Sequence, residues 1–118
     1  MKHSHQITSN LRVFIREVLI LIRPPVFISL TIVGNGLIGI AGLVFYYLEK
    51  GINPHLHYFI DALWWSFSTS TTTGYGDITP VTAAGKLLGI LLMLMGTALF
   101  AMFTGLFAEI ILTQTRKN

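Results

Sequence analysis

The chain contains no cysteine among its 118 residues, which excludes disulfides and thiolate metal sites. Charge is also scarce, because only 11% of the residues are charged, against about a quarter in a soluble domain. Hydrophobic residues make up 53% of the chain. A chain of this length has room for one domain, and the composition predicts that this domain lies in a membrane.

The formal net charge of +3 does not indicate nucleic-acid binding. The basic residues lie mostly toward the chain ends and are not interleaved with aromatic residues that could stack on bases. No nucleophile stands beside a base in a pattern typical of catalysis, and nothing in the sequence predicts an organic cofactor. We therefore expect neither an enzyme nor a nucleic-acid partner.

Residues 1–25 are predicted to form a cytoplasmic N-terminus that contains an amphipathic helix. Residues 1–6 are polar and are expected to be loose, whereas residues 7–23 show helical periodicity. At about 100° per residue, three arginines fall on one narrow stripe opposite an apolar face; they are Arg12, Arg16 and Arg23. Such a helix lies in the membrane interface and suits anionic lipid. Pro24 and Pro25 are expected to end it.

Two predicted helices contain uncharged stretches long enough to cross a membrane. The first, the predicted outer helix 26–48, has 23 residues, which span about 30 Å of hydrocarbon. Its polar residue Asn35 is expected to face a neighbouring helix and to hydrogen-bond there. The second is the predicted inner helix 85–112, which carries no charge from Leu87 to Ala108.

Between the two spans lies a segment that cannot cross the membrane as one helix. Residues 49–60 are polar with glycine and proline breakers, and we expect an exposed turret there. Asp61 suits the N-cap of a short helix over residues 61–71. That helix leads into the run Thr71-Thr72-Thr73-Gly74-Tyr75-Gly76-Asp77.

This run predicts irregular backbone at membrane depth. Unpaired backbone groups cost several kcal/mol there, so such backbone occurs only where it is buried in protein or lines a watery cavity. Carbonyl oxygens that line a cavity can replace the water shell of a cation. A phosphate-binding glycine loop is the soluble alternative, but the third glycine and the strand–turn–helix context are lacking.

In this context the run resembles the selectivity filter of prokaryotic two-transmembrane potassium channels, and the resemblance extends over residues 26–112. It implies an all-α membrane protein in which residues 26–118 form a pore domain. It also implies a re-entrant pore helix, a filter over residues 72–76 and a homotetramer around a central pore, since one chain supplies one loop. The implied K⁺ ligands are the Thr72 hydroxyl and the carbonyls of Thr72, Thr73, Gly74 and Tyr75. Gly76 completes the filter.

Two residues depart from the family pattern. Thr73 stands where valine is more common, so its hydroxyl needs a partner behind the filter. Ser68 stands where some relatives have a glutamate that bonds the aspartate matching Asp77. Asp77 is expected to accept hydrogen bonds near the outer mouth, with Trp65 as a donor. Trp65, Ser68 and Asp77 are therefore the predicted filter supports.

The inner helix carries the predicted gate. Gly96 matches the family's hinge glycine, although a close-packing role is an equal alternative. The same register predicts further residues near the conduction path: Thr97, Phe100, Ala101, Thr104 and Ala108. Phe103 and Phe107 join Phe100 as candidates for a hydrophobic constriction. Glu109 is predicted either to form a carboxylate ring at the inner mouth or to pair with Arg116.

Charge also predicts orientation, since six basic residues flank the two spans and two lie between them. This places both termini in the cytoplasm, with the loop entering from outside a cell membrane. The expected function is K⁺ passage down its electrochemical gradient. A weakly selective cation channel and a non-conducting regulatory subunit are the alternatives. No helix in the sequence repeats arginine in the pattern of a voltage sensor, so the sequence does not predict the gating stimulus. A cytoplasmic regulatory domain or subunit is a further partner to consider.

Overall fold

In the computed structural model, which describes residues 2–117 and the side chains of residues 5–117, the chain forms four α-helices. In chain order they are α1 (Lys2–Ile22), α2 (Pro25–Glu49), α3 (Phe59–Ser70) and α4 (Ala83–Lys117). Helices α2 and α4 are long and apolar enough to cross a membrane. The predicted all-α membrane fold, with two spans and a short helix between them, is confirmed.

Helix α1 begins earlier than predicted. Residues 2–6, expected to be loose, are helical, while Met1 lies outside the described residues. Within it, hydroxyl groups bond to backbone oxygens one turn earlier, as Ser9 does to the carbonyl of Gln6 at 2.9 Å. The helix ends before Pro24, and Pro25 then occupies the first turn of α2, where no N–H is required.

Helices α2 and α4 run antiparallel with α3 packed against both. At one end, the ring of Phe27 lies 5.3 Å from that of Phe103. Near the other end, the rings of Phe45 and Trp65 stack with their centroids 3.7 Å apart. Gly42 allows this close packing, since a Cβ there would lie 2.9 Å from the Ser66 hydroxyl oxygen. The small core therefore fixes α3 between the two long helices.

The start of α3 corrects the prediction that Asp61 is its N-cap. The N-cap is Tyr58, and Asp61 lies three residues further on. Its carboxylate accepts the backbone N–H groups of Tyr58 at 2.8 Å and His57 at 3.0 Å. These bonds lower the pKa of Asp61 below its ordinary value of 3.8, and the bond from Tyr58 contributes more than the bond from His57. Asp61 thus ties the incoming loop to the first turn of α3.

Other boundaries shift by a few residues. Helix α2 starts one residue before the predicted 26 and includes Glu49, helix α3 ends at Ser70 rather than 71, and α4 extends the predicted 85–112 at both ends. Asn35 was predicted to bond to a neighbouring helix, but no such bond is present among residues 5–117. Its side-chain amide donates to the carbonyl of Thr31, one turn earlier in α2, at 2.8 Å.

Candidate functional site: the re-entrant loop and its supports

The last turn of α3 anchors the loop of residues 71–77. The N–H of Thr71 bonds to the carbonyl of Phe67 at 3.0 Å, and that of Thr72 to the carbonyl of Thr69 at 3.3 Å. The N–H of Gly74 then returns to the carbonyl of Ser68 at 3.1 Å. These bonds turn the chain back along α3 instead of letting it continue through the membrane.

The backbone of the loop alternates in handedness. Thr72, Gly74 and Gly76 have φ angles of 65°, 53° and 79°, whereas Thr73 and Tyr75 between them do not have positive φ. Glycine adopts this region freely, but a β-branched threonine does so at a cost. Alternation of this kind collects successive N–H groups on one side of the chain and turns the carbonyls to the other.

The carbonyl oxygens of the loop are free acceptors. Within residues 2–117, none of the carbonyl oxygens of residues 72–76 accepts a hydrogen bond. The loop is exposed in the single chain, with 69% of Tyr75 accessible. A row of unpaired carbonyls cannot face lipid, so in a membrane it must face water, ions or other protein.

The tryptophan of α3 that bonds to Asp77 differs from the one that the sequence suggested. The donor to Asp77 is Trp64, whose indole N–H lies 2.9 Å from a carboxylate oxygen, and not Trp65 as predicted. Trp64 also stacks on Tyr75 with ring centroids 5.5 Å apart. Trp65 is buried against Phe45. Adjacent helical positions differ by about 100°, so the two rings point to different sides of α3.

Hydroxyl groups support the back of the loop. The Ser68 hydroxyl oxygen accepts the N–H of Tyr75 at 3.4 Å, in the position where a carboxylate is found in some related filters. The hydroxyl of Thr73 has a partner in that of Thr71, with 2.9 Å between the two oxygens. The support behind the loop is therefore neutral, while the carboxylate of Asp77 bonds at the mouth.

Glu49 is a structural residue that the sequence reasoning missed. It was assigned to the exposed turret, yet it is fully buried, with 0% of its surface accessible. One carboxylate oxygen accepts bonds from Asn53 at 3.0 Å and from the Val81 N–H at 2.9 Å. The other accepts the N–H and the hydroxyl of Thr82. Glu49 thereby joins the end of α2 to the segment between the loop and α4.

The residues around this carboxylate leave space for it and bond to one another. A Cβ at Gly85 would overlap it. Asn53 also donates to the carbonyl of Thr79 at 2.8 Å, so the turret folds down onto the exit of the loop. Asn53 and Leu56 are buried, which corrects the prediction of an exposed turret at these positions. The available signal was a lone carboxylate that directly follows a long uncharged span.

Helix α4 packs on the rest of the chain through one stripe. The rings of Phe103 and Phe107 lie 5.3 and 5.2 Å from that of Phe27, so both pack on α2. Phe100 is 74% exposed, which leaves it as the constriction candidate of the three. Four predicted pore-lining positions lie within about 60° of one another on the helix, and all are exposed: Thr97, Ala101, Thr104 and Ala108.

Gly96 marks the closest approach between α4 and α3. A Cβ at this position would overlap the backbone of Ser70, the last residue of α3. The geometry therefore supports the close-packing role of Gly96. Gly105, in contrast, has open space where a Cβ would stand. Glu109 and Arg116 are both exposed on α4.

A family model described as ion channel matches residues 36–113, which is more than half of the chain. Curated relatives are named as potassium channels. A voltage-gated potassium channel of Aeropyrum pernix is 43% identical over 53 residues, covering 45% of this chain and 18% of the relative. A cyclic nucleotide-gated potassium channel of Mesorhizobium japonicum is 34% identical over 89 residues, covering 75% of this chain and 25% of the relative. The chain thus spans about a fifth to a quarter of their length.

Solved structures show the same likeness in three dimensions. One is the pore domain of a voltage-gated K⁺ channel in a closed state in lipid membranes, with a TM-score of 0.57 and 33% identity. The match covers 76% of this chain and 95% of that one. The family is one of channels, which confirms that the chain is not an enzyme. The chain belongs to the ion channel family, and the predicted resemblance to potassium channel pore domains is confirmed.

Proposed function

We propose that the chain forms a potassium-selective pore. The observation that carries this proposal is the alternating backbone of residues 72–76, whose carbonyl oxygens are free. Neutral oxygen ligands suit a hard monovalent cation, and they replace its water without binding it too tightly to leave. The ligands are the carbonyls of Thr72, Thr73, Gly74 and Tyr75, together with the Thr72 hydroxyl. K⁺ is the transported ion, and the potassium channels among the relatives support this choice of cation.

The pore is a homotetramer. Each chain supplies one loop, and a single row of carbonyls cannot surround an ion. The loop and the pore-lining face of α4 are exposed in the single chain, which supports an assembly in which several copies arrange these surfaces around a shared central cavity. Native mass measurement in mild detergent is expected to give four copies. A result of dimers alone would contradict the assembly.

Reversal potentials test the function. Purified protein in a bilayer with K⁺ on one side and Na⁺ on the other is expected to reverse near the K⁺ equilibrium potential. Reversal near zero would instead favour a weakly selective cation channel, in which the hydroxyl of Thr73 alters the filter. Absence of any cation flux would favour a regulatory subunit.

The chain lies in the cell membrane with both termini in the cytoplasm, as its flanking basic residues favour. On that side the exposed arginines of α1 bind anionic headgroups, while apolar residues such as Leu11 and Phe14 enter the acyl boundary. Phe100 narrows the inner cavity, and Glu109 attracts cations to its cytoplasmic mouth. A cytoplasmic regulatory domain or subunit acts on this end of α4.

A further inference from the structure

The hydroxyl of Thr73 belongs to a directed chain of hydrogen bonds. The Thr71 hydroxyl oxygen lies 2.7 Å from the carbonyl of Phe67 and 3.3 Å from that of Ser68. Both carbonyls are acceptors only, so the single proton of Thr71 points to the backbone of α3. The 2.9 Å contact between the two threonine hydroxyls must then use the proton of Thr73. Thr73 donates to Thr71, which in turn donates to α3.

This chain of bonds holds the middle of the loop. Thr73 lies between Thr72 and Gly74, two of the residues with positive φ that set the direction of the carbonyls. The neighbouring ties, from Gly74 and Tyr75 to Ser68, begin at backbone N–H groups. Only the bond of Thr73 restrains the residue through its own side chain. A valine would fill the same space without that restraint.

We propose that Thr73 is a positioning residue that raises the ion selectivity of the filter. Its hydroxyl, held by Thr71, keeps the Thr73 carbonyl turned toward the ion and resists rotation of the peptide between Thr73 and Gly74. This inference rests on the proposed function of residues 72–76 as a potassium filter. Here the hydroxyl of Thr73 raises the selectivity for K⁺. In the alternative of a weakly selective cation channel, the same hydroxyl would lower it.

The test is a double-mutant cycle on the K⁺/Na⁺ permeability ratio in bilayers. Thr73→Val is expected to lower the ratio about threefold to tenfold, the equivalent of about 0.7–1.4 kcal/mol. Thr73→Ser retains the hydroxyl and is expected to stay within about twofold of the wild type. Because Thr71→Val already breaks the bond, adding Thr73→Val to it should lower the ratio little further.

Thr115→Val is the matched control. It removes a hydroxyl that bonds within α4, to the carbonyl of Ile111 at 3.0 Å, and is expected to leave the ratio unchanged. If Thr73→Val does not assemble, Thr71→Val breaks the same bond from the acceptor side and is read in the same way. An unchanged ratio in a selective wild-type background, or strictly additive effects, would overturn the role of Thr73 alone. A wild type without K⁺ selectivity would overturn the proposed function together with this role.

Discussion

The carboxylate of Glu49 offers the sharpest test of how the end of α2 is joined to the start of α4. Its two oxygens accept four hydrogen bonds, from Asn53, Val81 and twice from Thr82. Glu49→Gln keeps the size of the side chain but replaces one acceptor oxygen with an amide that can only donate. Whichever way the amide turns, its hydrogens meet at least one backbone N–H, because one carboxylate oxygen faces the Val81 N–H and the other faces the Thr82 N–H.

The expected cost follows from that geometry. The amide leaves the fewest unpaired donors when it faces Thr82, because the Thr82 hydroxyl oxygen can accept a hydrogen bond from it. The Thr82 N–H then loses its acceptor, so Glu49→Gln is expected to lower the free energy of unfolding by about 1–3 kcal/mol. Thr82→Val removes one donor to Glu49 and also the acceptor of the Gly85 N–H, which lies 2.9 Å from the Thr82 hydroxyl oxygen, so its cost is expected to be similar, at about 1–3 kcal/mol.

The measurement is equilibrium unfolding in mixed micelles, followed by tryptophan fluorescence. Glu17→Gln is the matched control, because it makes the same chemical change at an exposed position of α1. It should lower the free energy of unfolding by less than about 0.5 kcal/mol. If Glu49→Gln were as stable as the control, the four bonds would not be a stabilising cluster and this reasoning would fail.

Three further predictions concern the helices. Gly96→Ala is expected to destabilise the fold by about 1–3 kcal/mol through overlap with α3, whereas Gly105→Ala should stabilise a straight α4 by about 1 kcal/mol and lower the open probability in single-channel records. Equal effects of the two changes would contradict the packing difference between these glycines. Asp61→Asn should be less stable than wild type at neutral pH, and the difference in melting temperature should narrow as the pH falls below 3.8. The reason is that the carboxylate, whose pKa is lowered in the folded state, stabilises the fold only while it is ionised. A difference that stays constant with pH would contradict this role of the Asp61 carboxylate. Replacing Arg12 and Arg16 of α1, and Arg23 just after it, with glutamine should reduce the dependence of channel activity on anionic lipid without changing ion selectivity, measured in vesicles of varied composition. A change in selectivity would contradict an interfacial position for these three arginines.

The sequence predicted most of the fold because its signals are local. Two uncharged spans and a glycine-rich run between them are sufficient to predict the helices and the re-entrant loop. Side-chain direction was harder to predict. Trp64 and Trp65 are adjacent, and only the packing of α3 on α2 and α4 decides which of them faces Asp77.

The burial of polar residues at the ends of the spans could not be predicted from the sequence either. Glu49 and Asn53 have the composition of an exposed turret, yet both are buried because partners more than twenty-five residues away return to them. The two roles of Gly96 could not be separated either, since a hinge and a close contact require the same small residue. Its distance from Ser70 is a property of the packed helices.

The cluster at Glu49 has a mechanical consequence. The last turn of α2 and the start of α4 are held together by one carboxylate. Residues 49–82 therefore form a segment whose two ends are joined by hydrogen bonds. A force applied to the C-terminal half of α4 would meet the contact of Gly96 with Ser70 before it reached this joint. Bending of α4 on the C-terminal side of Gly96 can then move the end of this helix while the loop of residues 71–77 stays in place.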